Sequence, residues 1–166
     1  MVNLLCTQSL SLIGTSFEFT DQMSINIESL TILRSKVKGL ESLNSQKKLT
    51  ELSLSFLQKV NNLDLIREVK SLKKLTINTV KVSHLPNFTK LDSLKGIYLE
   101  NIGKVNNLDI IASASNLEEF VFYNAKEYEA SDFLFLNDMK VLQKVIIDLN
   151  SEKKMNELNS FLKIKK

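Results

Sequence analysis

The chain has little of what most catalytic or disulfide-bonded proteins need. Its 166 residues include one cysteine, one histidine, one proline, four glycines and no tryptophan. Cys6 has no partner for an internal disulfide, and with His84 as the only histidine there is no side-chain set for a zinc site or for a Cys–His nucleophile pair. We therefore expect a protein that is not an enzyme and that carries no cofactor or metal.

Long apolar runs are lacking as well. No stretch approaches the roughly 20 apolar residues of a membrane-spanning helix. The first residues, MVNLLCTQ, lack the basic start and long apolar core of a secretion signal. These features predict a cytoplasmic protein that does not bind membranes. The abundance of Lys, Asn, Ile and Ser favours a bacterial origin.

Leucine is plentiful, with 28 of the 166 positions, and its spacing is periodic. The pattern L-x-x-L-x-L, with Ile, Val or Phe in some places, recurs in steps of 22, 23, 22, 23 and 25 residues. Its six clean copies begin at Ile27, Leu49, Leu72, Leu94, Leu117 and Leu142. A partial seventh begins at Thr7. One such pattern means little in a leucine-rich chain, but six in near-constant phase indicate a repeat architecture.

The segments between these patterns keep phase too. After Leu72, apolar residues follow at intervals of three, which predicts helical or 3₁₀ turns. They are Val82, Leu85, Phe88 and Leu91. The string KVNNLD occurs at 59–64 and again at 104–109, which duplication of a two-repeat unit explains.

These motifs resemble the leucine-rich-repeat family, whose consensus is LxxLxLxxN/CxL with a period of 20 to 29 residues. The resemblance implies an α/β solenoid of six to seven coils of 22–25 residues. Each coil would add one strand to a curved parallel sheet on the concave side and a helical or 3₁₀ return arm on the convex side. Neighbouring coils would bury each other's leucines.

The chain departs from that consensus at the ninth place of the repeat, eight residues after the first leucine, where the family has Asn or Cys. Only Asn150 conforms. The other coils carry Ser35, Leu57, Val80, Ile102 and Ala125. The backbone at this turn must then bond to the backbone of other coils or to water.

The two ends of the predicted solenoid differ. Asn150 or Ser151 can cap a helix with an apolar face, so residues 151–166 are expected to be a C-terminal capping helix of a single domain, 1–166. No equivalent lid precedes Thr7. We therefore expect the N-terminal edge to be open to self-association.

Charge is unevenly distributed. Residues 34–95 carry a net +8 and residues 96–138 a net −6. The basic residues fall mostly in arms and turns, without the interleaved aromatic side chains of a base-stacking surface. Nucleic acid is therefore not the expected partner.

The concave face is formed by the third, fifth and seventh places of each pattern. In the first coils these places hold small or polar residues. The last three coils hold an apolar centre with a charged rim, typical of a protein-binding patch. The candidate partner-binding residues are Tyr98, Glu100, Glu119, Val121, Tyr123, Lys144, Ile146 and Asp148. Strand propensity, or cover by the C-terminal tail, would explain them equally well.

Two functions fit these observations. The first is a non-catalytic protein–protein interaction module that presents its concave sheet surface to a protein partner. The alternative is a C-terminal structural fragment of a larger repeat protein whose activity lies elsewhere.

Overall fold

The computed structural model describes residues 8–20, 26–57, 60 and 62–163. In this part of the chain, seven strands form one parallel sheet, and their order across the sheet follows their order along the chain. They are β1 (Ser9–Ile13), β3 (Ser29–Leu33), β5 (Glu51–Ser55), β6 (Lys74–Asn78), β7 (Gly96–Glu100), β8 (Glu119–Tyr123) and β9 (Lys144–Ile147). Each of these strands opens one coil, numbered 1 to 7 along the chain.

The strands pair without any shift in register. Leu30 lies beside Leu52, which lies beside Leu75, and the same places of the repeat stay aligned to Val145. This alignment confirms the predicted phase, because a slip of one residue would turn every leucine to the opposite face. The α/β solenoid predicted from the repeat is therefore the observed fold.

The core lies between the sheet and the return arms. Leu30, Ile32, Leu75 and Ile77 are fully buried, whereas the alternate strand residues are partly exposed. Coil 6 replaces leucine with aromatic residues at two places of its strand, Phe120 and Phe122. The Phe122 ring lies 5.2 Å from the Tyr128 ring, centroid to centroid, with further ring contacts to Phe120 and Phe133.

Most return arms contain a 3₁₀ segment, as the period of three predicts. These segments are Leu40–Ser45, Asp64–Glu68, Leu108–Ser113 and Ala130–Asp138. Coil 4 differs, since residues 79–95 form only turns and bends. Pro86 lacks an N–H group, and both backbone groups of Leu85 bond to the side chain of Asn107 in the next coil. This coil therefore has two isolated turns, with bonds from Leu91 to Phe88 and from Leu94 to Leu91, in place of a continuous 3₁₀ segment, and its apolar residues are buried.

A left-handed turn follows six of the seven strands. The turn residues are Gly14, Arg34, Phe56, Thr79, Asn101 and Asn124, with Asn150 shortly after β9. In the first five, the turn N–H group donates to a carbonyl of the next coil, as from Arg34 to Ser55 and from Phe56 to Asn78. Backbone groups of neighbouring coils thus satisfy this turn, one of the two alternatives open from the sequence.

Coils 1 and 2 carry a second, two-stranded parallel sheet made of β2 (Ser16–Glu18) and β4 (Lys36–Lys38). Gly39 follows β4 with a φ of 69° and lies against the backbone of Phe19, where a Cβ atom would be 2.0 Å from the Phe19 carbonyl oxygen. Only glycine fits this close approach.

The helix α1 (Glu152–Phe161) follows coil 7. Ser151 is its N-cap residue and accepts a hydrogen bond from the Lys154 N–H group. Leu158 is buried, and Met155 and Phe161 pack against the core. Cys6 and Thr7, at the expected open edge, lie outside the described residues.

Candidate functional site

The sheet surface that faces away from the core is called here the outer sheet face; it is the face predicted to be concave. The zero-shift register places the residues at the third, fifth and seventh places of every repeat in three parallel rows along it. All candidate residues lie on β7, β8 and β9 or directly after β9. Adjacent strands are about 4.8 Å apart, so these residues form one continuous area.

Val121 lies in the middle row between Tyr98 and Ile146. The sequence predicts an exposed apolar centre here, but Val121 is only 4% exposed and Ile146 is partly buried. The prediction of an exposed Val121 is wrong because its larger neighbours on both sides cover a side chain of this size. The apolar centre is therefore a support for the aromatic side chains.

Tyr98 lies flat along the sheet and is not a free aromatic anchor. Its ring covers Gly96, where an added Cβ atom would come within 2.8 Å of the ring. The Lys74 ammonium group is 4.6 Å from the ring centroid, and the Tyr98 hydroxyl donates a hydrogen bond to Glu119. Burial, together with this hydrogen bond, raises the pKa of Tyr98 to about 12.

Glu119 joins Tyr98 to the next strand. Its other carboxylate oxygen accepts a hydrogen bond from Lys144. The bond from Lys144, and then the bond from Tyr98, lower the pKa of Glu119. Lys74, Tyr98, Glu119 and Lys144 therefore form a network across four strands. Lys74 and Gly96 were missed as site residues, although a glycine inside a strand is a sequence signal for close approach of another group.

Tyr123 is the most exposed aromatic side chain of the outer sheet face, at 47%. It lies beside Glu100 of β7, and Asp148 follows Ile147 on the other side. The Asn78 side chain donates to Glu100 at 2.7 Å, and the Asn150 N–H group donates to Asp148 at 2.8 Å. These bonds fix both carboxylates beside an exposed ring. Of the candidate residues, Tyr123 thus has the geometry of a contact residue.

The acidic side chains of the described residues are spread out or paired with lysines. Within 8–20, 26–57, 60 and 62–163, no three His, Cys, Asp or Glu side chains are grouped as metal ligands. The adjacent Glu118 and Glu119 pair with Lys95 and Lys144 respectively, so the two carboxylates do not converge. In the same part of the chain, no helix is long and apolar enough to cross a bilayer.

Comparison with known proteins gives a structural match. No protein-family model and no curated protein matches the sequence. The crystal structure of an internalin, InlF, from Listeria monocytogenes strain 4b F2365 matches 72% of this chain with a TM-score of 0.55 and 18% sequence identity. This internalin is a leucine-rich-repeat protein. The chain has the leucine-rich-repeat fold. It spans about a third of the internalin, since the match covers 34% of that chain.

Side chains take over the role that the asparagine has in the leucine-rich-repeat consensus. In coil 2, Ser35 donates to the Leu12 carbonyl and accepts from the Thr15 N–H group, both in coil 1. In coil 6, the buried Tyr128 hydroxyl accepts from Val105 and donates to Gly103, both in coil 5. These bonds reach the preceding coil.

Other side-chain bonds have the same direction. Asn107 and Ser113 of coil 5 bond to the backbone of Leu85 and Phe88 in coil 4. In the helix α1, the Lys154 ammonium group donates to the Tyr128 carbonyl of coil 6. Most of these bonds complete the turns and arms of a coil from the element that follows it. The Asn137 side chain of coil 6 bonds in the other direction, to the backbone of Phe161 and Lys163.

The first coils of the leucine-rich-repeat sheet are less polar than predicted. Ile13, at the end of β1, is 64% exposed, and Phe56, directly after β5, is 40% exposed. The Arg34 guanidinium lies 5.1 Å from the centroid of the Phe56 ring. Sequence reasoning missed Phe56 because it occupies the turn place, outside the alternating strand pattern.

Proposed function

We propose that the chain is a non-catalytic protein–protein interaction module, a single domain over 1–166 that residues 151–166 close at the C-terminal end. A protein partner binds the outer sheet face at coils 5 to 7. The observation that carries this proposal is Tyr123, an exposed ring between two fixed carboxylates on a rigid sheet. The composition favours a bacterial cytoplasmic protein.

The remaining candidate residues have distinct roles in this proposal. Tyr123, Glu100 and Asp148 contact the partner. Tyr98, Glu119 and Lys144 hold the surface in one arrangement before binding, and a surface ordered in advance loses less entropy when it binds. Val121 and Ile146 support the aromatic rings from below.

The test is capture from native lysate on immobilised wild-type protein and on Tyr123→Ser, with the bound proteins quantified by mass spectrometry. Leu134→Ser is the matched control, because Leu134 is 46% exposed but belongs to a return arm. We expect a protein that wild type and Leu134→Ser retain and that Tyr123→Ser binds with about 30-fold lower affinity, a loss of roughly 2 kcal/mol.

Equal retention by all three proteins would place the partner site elsewhere. The alternative, a structural part of a larger repeat protein, predicts this equal retention or no specific partner at all. Tyr123→Ser is preferable to a change at Tyr98, because Tyr98 also holds the network of Lys74, Glu119 and Lys144 together.

A further inference from the structure

Coils 1 to 3 contain a groove of about 900 Å³, well separated along the chain from the candidate residues of coils 5 to 7. Its apolar part includes Phe17, Val37, Phe56, Leu57 and Val60. Phe17, Val37 and Val60 are partly buried against the core, whereas Phe56 is 40% exposed. The groove thus has a fixed apolar floor and one projecting ring.

The rim of the groove is basic. Arg34, Lys36 and Lys38 are exposed there, together with a single acidic residue, Glu18. None of the three cations forms an ion pair with a described carboxylate. An apolar floor under unpaired positive charges is complementary to a ligand that has apolar side chains and negative charge.

Phe56 has an unfavourable backbone conformation for its residue type. Its φ is 55°, in the left-handed region, where a bulky residue is an outlier. The corresponding turns of coils 5 and 6 carry Asn101 and Asn124, a residue type that tolerates this region. Arg34 and Thr79 have the same conformation in coils 2 and 4, so the turn belongs to the repeat, and the feature specific to coil 3 is the aromatic ring that the turn projects into the groove.

We propose that this groove binds an acidic segment of another protein. Apolar side chains of the segment pack on Phe56 and Val37, and its carboxylates contact Arg34, Lys36 and Lys38. A protein segment fits better than a nucleic acid, because Phe56 is the only exposed ring that lines the groove, whereas Phe17 is partly buried against the core.

The test is selection from a phage-displayed library of random peptides of roughly ten residues, long enough to extend past the groove when fully extended. We expect the enriched peptides to combine Asp or Glu with Leu, Ile, Val or Phe. Synthetic copies of these peptides should bind wild type more weakly as salt concentration rises, because exposed charges are screened.

Two groove variants and two controls make the test specific. Phe56→Asn removes the ring and suits the left-handed turn, and Lys36→Glu with Lys38→Glu reverses the rim charge. Each should weaken peptide binding about tenfold or more. Lys47→Glu with Lys48→Glu, an exposed pair in a turn before Leu49, is the matched charge control and should have little effect. Tyr123→Ser should also leave peptide binding unchanged. The groove proposal and the proposed function of the outer sheet face are therefore tested independently.

Several outcomes would overturn the proposal. Enriched peptides without both acidic and apolar residues, or peptides that bind Phe56→Asn as well as wild type, would show that the groove is not the site. Preferential capture of a labelled single-stranded oligonucleotide would point to nucleic acid. If sedimentation showed a dimer that both groove variants abolish, the occupant would be a second copy of this chain.

Discussion

Coils 5 to 7 and coils 1 to 3 have the same strand register but use their side chains differently. In coils 5 to 7, the core includes the aromatic cluster of coil 6, Tyr128 bonds to the preceding turn, and the polar residues of the outer sheet face bond to one another. In coils 1 to 3, Ser35 makes the equivalent turn bonds, Arg34 and Phe56 occupy left-handed turns, and a groove is open. The same backbone therefore carries two kinds of surface. In coils 5 to 7 the polar side chains bond to one another, whereas in coils 1 to 3 the side chains of the groove remain available to a ligand.

The largest difference should appear in the core. Phe122→Ala removes the centre of the aromatic cluster and should lower the free energy of unfolding by about 3–5 kcal/mol. Ile32→Ala, at the same place of the repeat in coil 2, removes a smaller side chain and should cost less, although both residues are fully buried. Denaturant unfolding measures both. An equal or larger loss for Ile32→Ala would contradict the comparison.

The turn bonds provide the second contrast. Tyr128→Phe leaves the Val105 N–H group and the Gly103 carbonyl without their partner, and should cost about 1–3 kcal/mol. Ser35→Ala removes comparable bonds near the partly exposed edge of the sheet and should cost about 1 kcal/mol or less. Thermal unfolding compares the two, with Tyr123→Phe as the control on the solvent side. If Ser35→Ala were the more damaging change, the first coils would depend more strongly on their turn bonds.

The network of the outer sheet face should make stability depend on pH in the alkaline range through a tyrosine, a residue type that coils 1 to 3 do not contain. Folding raises the pKa of Tyr98 from 10.0 to about 12, so the folded protein favours the protonated hydroxyl. The stability from this preference is complete below pH 10 and is lost as the pH rises towards 12. Because solvent screens part of the effect, we expect about 1 kcal/mol. Unfolding measured between these pH values should show a larger loss for wild type than for Tyr98→Phe. The loss that remains in Tyr98→Phe comes from Tyr128, whose pKa is also raised by burial. If the stabilities of wild type and Tyr98→Phe fell equally over this pH range, the folded protein would not favour the protonated Tyr98 hydroxyl.

The smallest effect concerns Phe56. Asparagine adopts the left-handed region more easily than alanine, so Phe56→Asn should be more stable than Phe56→Ala by about 0.5–1 kcal/mol. Both changes remove the same ring contacts, so their difference isolates the backbone term. Chemical unfolding of the two variants measures it. Equal stability would mean that the turn at coil 3 is not strained, and that the exposed ring alone distinguishes it from the turns at Asn101 and Asn124.

The fold could be predicted because it depends on one periodic property. Leu30, Leu52, Leu75 and Ile97 are buried in register, since any other alignment would expose them. The return arms were predictable only where nothing competed with the 3₁₀ turn. Pro86 in coil 4 removes a backbone donor, and this local effect overrides the period of three.

The details of the site depend on neighbours in adjacent coils, which a one-dimensional pattern does not contain. The exposure of Val121 depends on the sizes of Tyr98 and Ile146, and the direction of Tyr98 depends on the missing side chain of Gly96. The alternation that places Tyr123 outside applies within strands. The alternation does not predict the exposure of Phe56, which lies directly after β5.

Because several side chains bond to the preceding coil, deletions from the two ends of the solenoid should have different effects. Deleting α1 would strip the Tyr128 carbonyl of its bond from Lys154, and deleting back to coil 5 would strip the Val105 N–H group and the Gly103 carbonyl of the Tyr128 hydroxyl. Each cut from the C-terminal side therefore leaves a new last coil with unsatisfied backbone groups. A cut from the N-terminal side removes the recipient of the side-chain bonds and leaves their flexible donor, which water can solvate. Its backbone cost is the carbonyl that accepted from the removed turn, as Ser55 accepts from Arg34. During synthesis, a coil would accordingly be complete only after the next one had emerged.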